Sequence, residues 1–159
     1  MALAKGTNSY ATVSEADSYF EDRLDVAAWT NANATQKAQA LVTATRTMDE
    51  LDWIGIAVSD TQALAFPRVG VYFDPRLGSD LSLDETFVPK RIITATYELA
   101  YHLLNNDGLL DDTGSVKNLS IGSISLDVID APGKIPLHVK RIIRPLLING
   151  GSNPWWRSN

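Results

Sequence analysis

The sequence predicts a mainly α-helical fold: a small helical bundle with a protruding β-hairpin and an extended C-terminal tail. Three observations carry this. Two capping boxes and two prolines mark the starts of four amphipathic helical segments. Residues 116–129 switch the apolar period from 3.6 to 2. Residues 149–159, Asn-Gly-Gly-Ser-Asn-Pro-Trp-Trp-Arg-Ser-Asn, cannot continue either element. With 159 residues, 45% of them hydrophobic, the chain is long enough for one real core. A domain over 1–148 and a tail over 149–159 follow.

Thr12 and Glu15 form the first capping box, opening a helix over Val13–Leu24 whose apolar face is Val13, Ala16, Tyr19 and Phe20. Residues 27–29, Ala-Ala-Trp, suggest a short helical turn. Asn33 and Gln36 open a second long helix, running to about Trp53, with Ala38, Leu41, Val42, Thr45, Met48 and Leu51 or Asp52 as its stripe and Gly55 at its end. Residues 54–88 lack a sustained period. Pro67, Gly70, Pro75 and Gly78 break any element there, and Leu64, Phe66, Val71, Tyr72 and Phe73 need cover, so a long packed-down loop is expected.

Pro89 suits a helix start because its missing N–H costs nothing there. That helix is expected to reach about Asn106, with Ile92, Ile93, Thr96, Leu99, Ala100, Leu103 and Leu104 on one side. Around Gly122-Ser123 the sequence is a palindrome. A two-residue turn there pairs Ile121 with Ile124 and Leu119 with Leu126 on one face, and Ser120 with Ser125 on the other. A single strand with a bulge at Gly122 is the alternative. A lone hairpin is marginal in water, so its apolar face must lie on its own helices or on a neighbouring subunit. The last helix, about 136–148, starts at Pro136 with Leu137, Val139, Ile142, Ile143, Leu146 and Leu147 apolar. Pro145 should kink it or end its regular hydrogen bonding.

Charge is uneven. Residues 1–130 hold nineteen acids and nine bases, a net −10; residues 131–159 hold five bases and no acid, a net +5. The acidic body discourages general nucleic-acid affinity, which needs clustered Lys and Arg. The basic arm of Lys134, Lys140, Arg141, Arg144 and Arg157 suits phosphates, an acidic partner surface, or plain solvation.

Catalytic constellations are scarce. No Gly-x-Ser-x-Gly or Gly-x-Gly-x-x-Gly occurs, and Gly133-Lys134 lacks the upstream glycine of a phosphate loop. With no cysteine, neither a disulfide framework nor a thiolate zinc site is available. His102 and His138 lie far apart in sequence and read as structural. Asp107, Asp111 and Asp112 miss the calcium-loop pattern, and Asp49, Glu50 and Asp52 beside Arg46 read as a solvated face with an ion pair. No enzyme activity, cofactor or metal is expected. Nothing has signal-peptide or transmembrane length, so residence in the cytoplasm until assembly, away from membranes, is the expectation.

The tail holds half of the four tryptophans, Trp155 and Trp156. Burying both indoles is worth on the order of 10 kcal/mol gross, before the cost of ordering the segment. The pair either folds back onto its own domain or fills a pocket on another protein with Arg157 at the rim; the anchor is the preferred reading.

Several segments together resemble one family: residues 10–20 (YATVSEADSYF), Trp29, residues 40–53 (ALVTATRTMDELDW), residues 62–68 (QALAFPR), residues 88–100 (VPKRIITATYELA) and the strand region at Gly122. In this order and spacing they are similar to head–tail connector (adaptor) proteins of tailed bacteriophages, over nearly the whole chain up to about Ile148. Many relatives carry Trp where this chain has Phe66. The resemblance implies a structural virion protein of the neck. It would form a homo-oligomeric ring of twelve subunits between the portal and a head-closure or tail protein, with double-stranded DNA passing through the lumen without specific binding. In such a ring the last helix and tail, with Arg141, Arg144, Trp155, Trp156 and Arg157, reach onto the portal. The hairpin residues Leu119, Ile121, Ile124 and Leu126 would contact neighbouring subunits or the next ring. Many relatives are also labelled DnaT-like single-stranded-DNA-binding proteins. That label implies Lys140, Arg141, Arg144 and Arg157 on phosphates, with Trp155 and Trp156 stacking on bases.

Overall fold

The computed structural model describes residues 2–106, 119–121, 124–126 and 135–148. Both capping boxes form. Thr12 and Glu15 exchange hydrogen bonds at the start of α1 (Val13–Glu21), as do Asn33 and Gln36 at the start of α3 (Ala34–Asp49). Between them lies α2 (Ala27–Asn31). Pro89 caps α4 (Lys90–Asn105), and Pro136 caps α5 (Leu137–Ile143). Pro145 does end regular bonding: Arg144–Leu146 tighten into a 3₁₀ turn.

The core is a helical layer. α3 packs on α4, α4 on α5, α2 on α4 and α1 on α3. Leu41, Ala44 and Met48 of α3 meet Ile92, Ala95, Leu99 and Ala100 of α4, and Val139, Ile143 and Leu146 close the far side, all essentially without exposure. Phe20 stacks on Trp29 with ring centroids 4.8 Å apart. Asp17 ties three helices together, accepting from Trp29 Nε1 at 2.9 Å and Lys37 Nζ at 2.8 Å.

Two helices are shorter than the sequence suggests. α1 stops at Glu21 instead of Leu24, because Arg23 turns inward to Glu98 and Asp25 takes a left-handed φ of 56°. α3 stops at Asp49 instead of Trp53. The Trp53 indole donates to Met48 O at 3.1 Å and its backbone bridges to Leu147, which pulls the chain off the helix axis. Gly55 therefore is not the cap of α3. The buried stripe of α3 is also rotated from the expected one: Ala40, Leu41, Ala44, Thr45, Thr47 and Met48 face inward, while Ala38 and Val42 remain half-exposed. On α5 the expected apolar Leu137 is 63% exposed.

The largest correction concerns residues 54–88. They form a three-stranded antiparallel meander, β1 (Ile56–Ala57), β2 (Arg68–Asp74) and β3 (Ser79–Leu83), in that spatial order. Gly55 and Gly70 permit it. A Cβ on Gly55, whose φ is +80°, would stand 2.5 Å from Val69 O, and one on Gly70 would stand 2.8 Å from Gly55 Cα. Arg68 pins the entry. Its guanidinium donates to Trp53 O, Ile54 O, Gly55 O and Ala65 O at 2.7–3.3 Å. Asp49 is no solvated partner of Arg46: it accepts from the Tyr10 hydroxyl and, at 3.3 Å, from Ala65 N–H. Burial raises its carboxyl above the usual range, and these two hydrogen bonds offset only part of that rise. The Tyr10 hydroxyl in turn accepts from Phe66 N–H at 3.2 Å, beside a cis Phe66–Pro67 bond.

The hairpin forms in the predicted register. β4 (Leu119–Ile121) pairs antiparallel with β5 (Ile124–Leu126), matching Leu119 to Leu126, Ser120 to Ser125 and Ile121 to Ile124. The turn at Gly122-Ser123, the acidic Asp107, Asp111 and Asp112, and the whole tail lie outside the described residues.

Candidate assembly surfaces

The meander has two unlike faces, and period 2 decides which residues go where. Tyr72, Asp74 and Leu83 point inward and are buried. Val69, Val71 and Phe73 point outward, at 46%, 55% and 55% exposure, and Ile56, paired opposite Val69, is 76% exposed. These four form one aliphatic and aromatic stripe, a feature that marks interaction sites when it is contiguous. Its only polar cross-strand neighbours on β3 are Ser82, opposite Val71, and Asp80, opposite Phe73. The inner Asp74 anchors the sheet to the helices. It accepts from Arg76 N–H at 2.9 Å, from the Arg76 guanidinium at 3.0 Å and from Arg91 Nη2 at 2.9 Å. The Arg76 and Arg91 contacts hold its carboxyl well below the usual range, that of Arg76 foremost. Arg91 also donates to Ile142 O at 3.2 Å, so one guanidinium joins the meander to α5.

A second, polar feature lies between α4 and α5. Glu98, nearly buried, accepts from the Tyr19 hydroxyl and from Arg23 Nη1, both at 2.5 Å. Burial and the Glu98 contact push the Tyr19 phenol up to about 12. His138 Nε2 stands 3.9 Å from the other Glu98 oxygen, and the His102 and His138 rings lie 6.4 Å apart. The two histidines, remote in sequence, are therefore neighbours, which their separation did not suggest. With Arg23, Tyr101 and Arg141 they line a cleft of about 600 Å³. Among the described residues no three His, Asp or Glu side chains are grouped to hold a metal ion. Nor, among those residues, is any helix long and apolar enough to cross a membrane.

The family model described as "Putative DnaT-like ssDNA binding protein" matches residues 2–157. The chain belongs to that family. No curated protein and no solved structure matches it. In this member of the DnaT-like family, most cations of the body are paired or hydrogen-bonded by their own chain. Lys5 pairs with Glu15, Arg23 with Glu98, Lys37 with Asp17, and Arg76 and Arg91 with Asp74, while Arg68 is wrapped by carbonyls. Six of the nine bases of residues 1–130 are thus engaged by their own chain.

Of the site residues read from sequence, Arg141 and Arg144 lie one turn apart and exposed at the C-terminal helix, with Arg141 on the rim of the polar cleft. Leu119, Ile121, Ile124 and Leu126 hold the expected cross-strand register. Trp155, Trp156 and Arg157 fall outside the described residues. Sequence reasoning missed the outward stripe of the meander. The alternation of Val69, Val71 and Phe73 was its signal, masked by Gly70 and by the neighbouring prolines.

Proposed function

We propose that this chain is a structural protein of a tailed-bacteriophage virion, acting at the neck as the head–tail adaptor. In this reading copies of it form a ring, of twelve subunits by its resemblance to connector proteins, between the portal and the head-closure or tail protein. Its place is the head–tail junction, reached from the host cytoplasm during assembly. The observation that carries the reading is the outward apolar stripe of Ile56, Val69, Val71 and Phe73, which a chain working alone has no reason to show to water. The register that pairs Leu119 with Leu126 and Ile121 with Ile124 supports the same reading, with the hairpin as a second element for contacts between subunits. The net −10 of residues 1–130 suits a wall past which DNA slides, because like charges repel.

A second reading, single-stranded-DNA binding, is favoured by the description of the family and by the exposed Lys140, Arg141 and Arg144. Against it stand the acidic body and the six bases already engaged by partners in their own chain. Two measurements on one preparation separate the readings: fluorescence anisotropy with a single-stranded oligonucleotide at physiological salt, and sedimentation with the portal protein. The adaptor reading expects association with the portal and only weak oligonucleotide binding. Sub-micromolar oligonucleotide affinity, abolished by Lys140→Ala with Arg144→Ala, together with no portal association, would overturn it.

A further inference from the structure

α3 leaves part of its apolar surface outside the core. Ala38 and Val42, with Ala34 on the same side and Leu3 of the N-terminal arm as the opposite wall, border a groove of about 490 Å³. Among the described residues that line it none is charged, and Thr35, Gln39 and Thr43 are its polar members. The N-terminal arm that makes its wall is held in place: Ala4 N–H donates to Asn8 Oδ1 at 2.7 Å and Asn8 Nδ2 to Ala2 O at 3.0 Å. The groove is therefore a fixed apolar slot, of ligand size, with small residues on its floor.

We infer that this groove receives the tryptophans of the chain's own tail. The position of the last described residues supports it. Ile148 N–H donates to Asp52 O at 3.0 Å and Leu147 bridges to Trp53, so the tail departs beside the C-terminal end of α3. Trp155 is seven residues further on, a reach of about 24 Å when extended. From Asp52, which holds Ile148, back to Val42 is about 15 Å and to Ala38 about 21 Å, at 1.5 Å per residue. The span fits, with slack for the turn out of Ile148 when the indole sits at the Val42 end of the groove. Gly150, Gly151, Ser152, Asn153 and Pro154 in between are small, uncharged and suited to an extended strap. An indole laid on Ala38 and Val42 needs an acceptor for its N–H, and the Thr35 hydroxyl or the Gln39 amide oxygen supplies one. Intramolecular docking of this sort works at a millimolar effective concentration, so modest contact energy suffices. This inference is independent of the adaptor reading. It describes how the chain shields two large apolar side chains until a partner competes for them.

The experiment uses the full chain, which has no native cysteine. Trp29 and Trp53 are 2% and 3% exposed, so the tail indoles dominate acrylamide quenching, and a chain truncated after Asn149 gives the background to subtract. The wild-type tail indoles should be protected severalfold relative to free tryptophan, and Ala38→Glu, which sets a carboxylate in the groove, should remove the protection. Independently, Val42→Cys with Ser158→Cys should oxidise to an intrachain disulfide in the monomer, whereas Asp80→Cys with Ser158→Cys should not. Tail indoles quenched as readily as free tryptophan in the wild type would overturn the inference. So would a Val42–Ser158 cross-link found only between two chains, since the occupant would then be another copy's tail.

Discussion

Replacing Val71 and Phe73 together by lysine should abolish assembly and leave the fold nearly untouched. Both side chains sit on the outer face of β2 at 55% exposure, between the inward Tyr72 and Asp74. Lysine is chosen over aspartate because Phe73 pairs with Asp80 across the strand; a like charge would destabilise the sheet, whereas an opposite one contributes about 0.2–1 kcal/mol. The weaker strand propensity of lysine costs up to about 1 kcal/mol, partly offset as the long stem covers the surface it replaces. The net effect on stability should lie within about 1 kcal/mol, or about 2–4 °C in a chain of this size.

At an interface the ledger differs. About half of each side chain is still open to water, so its burial between subunits contributes about 1 kcal/mol, half the value for a whole Val or Phe. Losing both removes about 2 kcal/mol, and desolvating an unpaired ammonium adds at least about as much again. A total near 4 kcal/mol is roughly a thousandfold in affinity. Sedimentation velocity over a concentration series, with and without the portal protein, reads the assembly, and circular dichroism melting reads the fold. Wild-type assembly by a folded double variant would refute the stripe as an interface. Unfolding would refute the outward placement of Val71 and Phe73.

Ile121→Asp with Ile124→Asp should block incorporation into the ring while the helical layer melts as in wild type, measured by copurification with assembled heads and by circular dichroism; outright unfolding would assign the hairpin to the domain's own core. Arg68→Met should destabilise by on the order of 3 kcal/mol in urea titration, since the carbonyls of Trp53, Ile54, Gly55 and Ala65 lose a charged donor at once. Asp74 has its folded pKa depressed by Arg76 and Arg91, so its contribution is complete above the unfolded value of about 3.9 and is lost as pH falls below it. The gap in urea midpoint between wild type and Asp74→Asn should therefore be constant and wide above about pH 4 and shrink progressively as pH falls further. Asp49 has the opposite sign: burial raises it, so its ionised form opposes folding at neutral pH. Asp49→Asn, which keeps an acceptor for the Tyr10 hydroxyl, should melt at the same temperature or higher at pH 7, and a clear fall would contradict the direction of that shift.

The starts of elements were legible because they depend on chemistry a few residues wide. Thr12 with Glu15, Asn33 with Gln36, Pro89 and Pro136 each satisfy or remove orphan amides locally, and each marks the observed first turn. The hairpin register was legible for the same reason, since the palindrome about Gly122-Ser123 admits one in-register pairing. Ends were not. α1 stops where Arg23 finds Glu98, seventy-five residues away, and α3 stops where Trp53 meets Leu147. Neither partner can be inferred from the local pattern, because a helix yields its last turn whenever a tertiary contact is worth more than two or three backbone bonds.

The same distinction explains the surfaces. β2 is two-faced, yet its inner face is closed by Tyr72 and by a buried carboxylate, Asp74, a residue type that reads as solvent-facing until Arg76 and Arg91 are seen around it. Once Asp74 is inside, period 2 forces Val69, Val71 and Phe73 outside, and the apolar stripe follows with no further assumption. Ala38 and Val42 obey a similar logic on α3. Ala40, Leu41, Ala44, Thr45 and Met48 already fill the side toward α4, with the Thr45 hydroxyl taking the Tyr10 amide at 3.2 Å and the Met48 sulfur facing Thr96. Thr45 is buried as the stripe predicts, and polar Thr47, outside that stripe, joins it in the core while Ala38 and Val42 turn outward. In both elements a buried polar residue satisfied within the fold, Asp74 by Arg76 and Arg91 and Thr45 by the Tyr10 amide, goes with apolar neighbours that face solvent. Those displaced neighbours are the surfaces the chain has left to offer to another segment or another subunit.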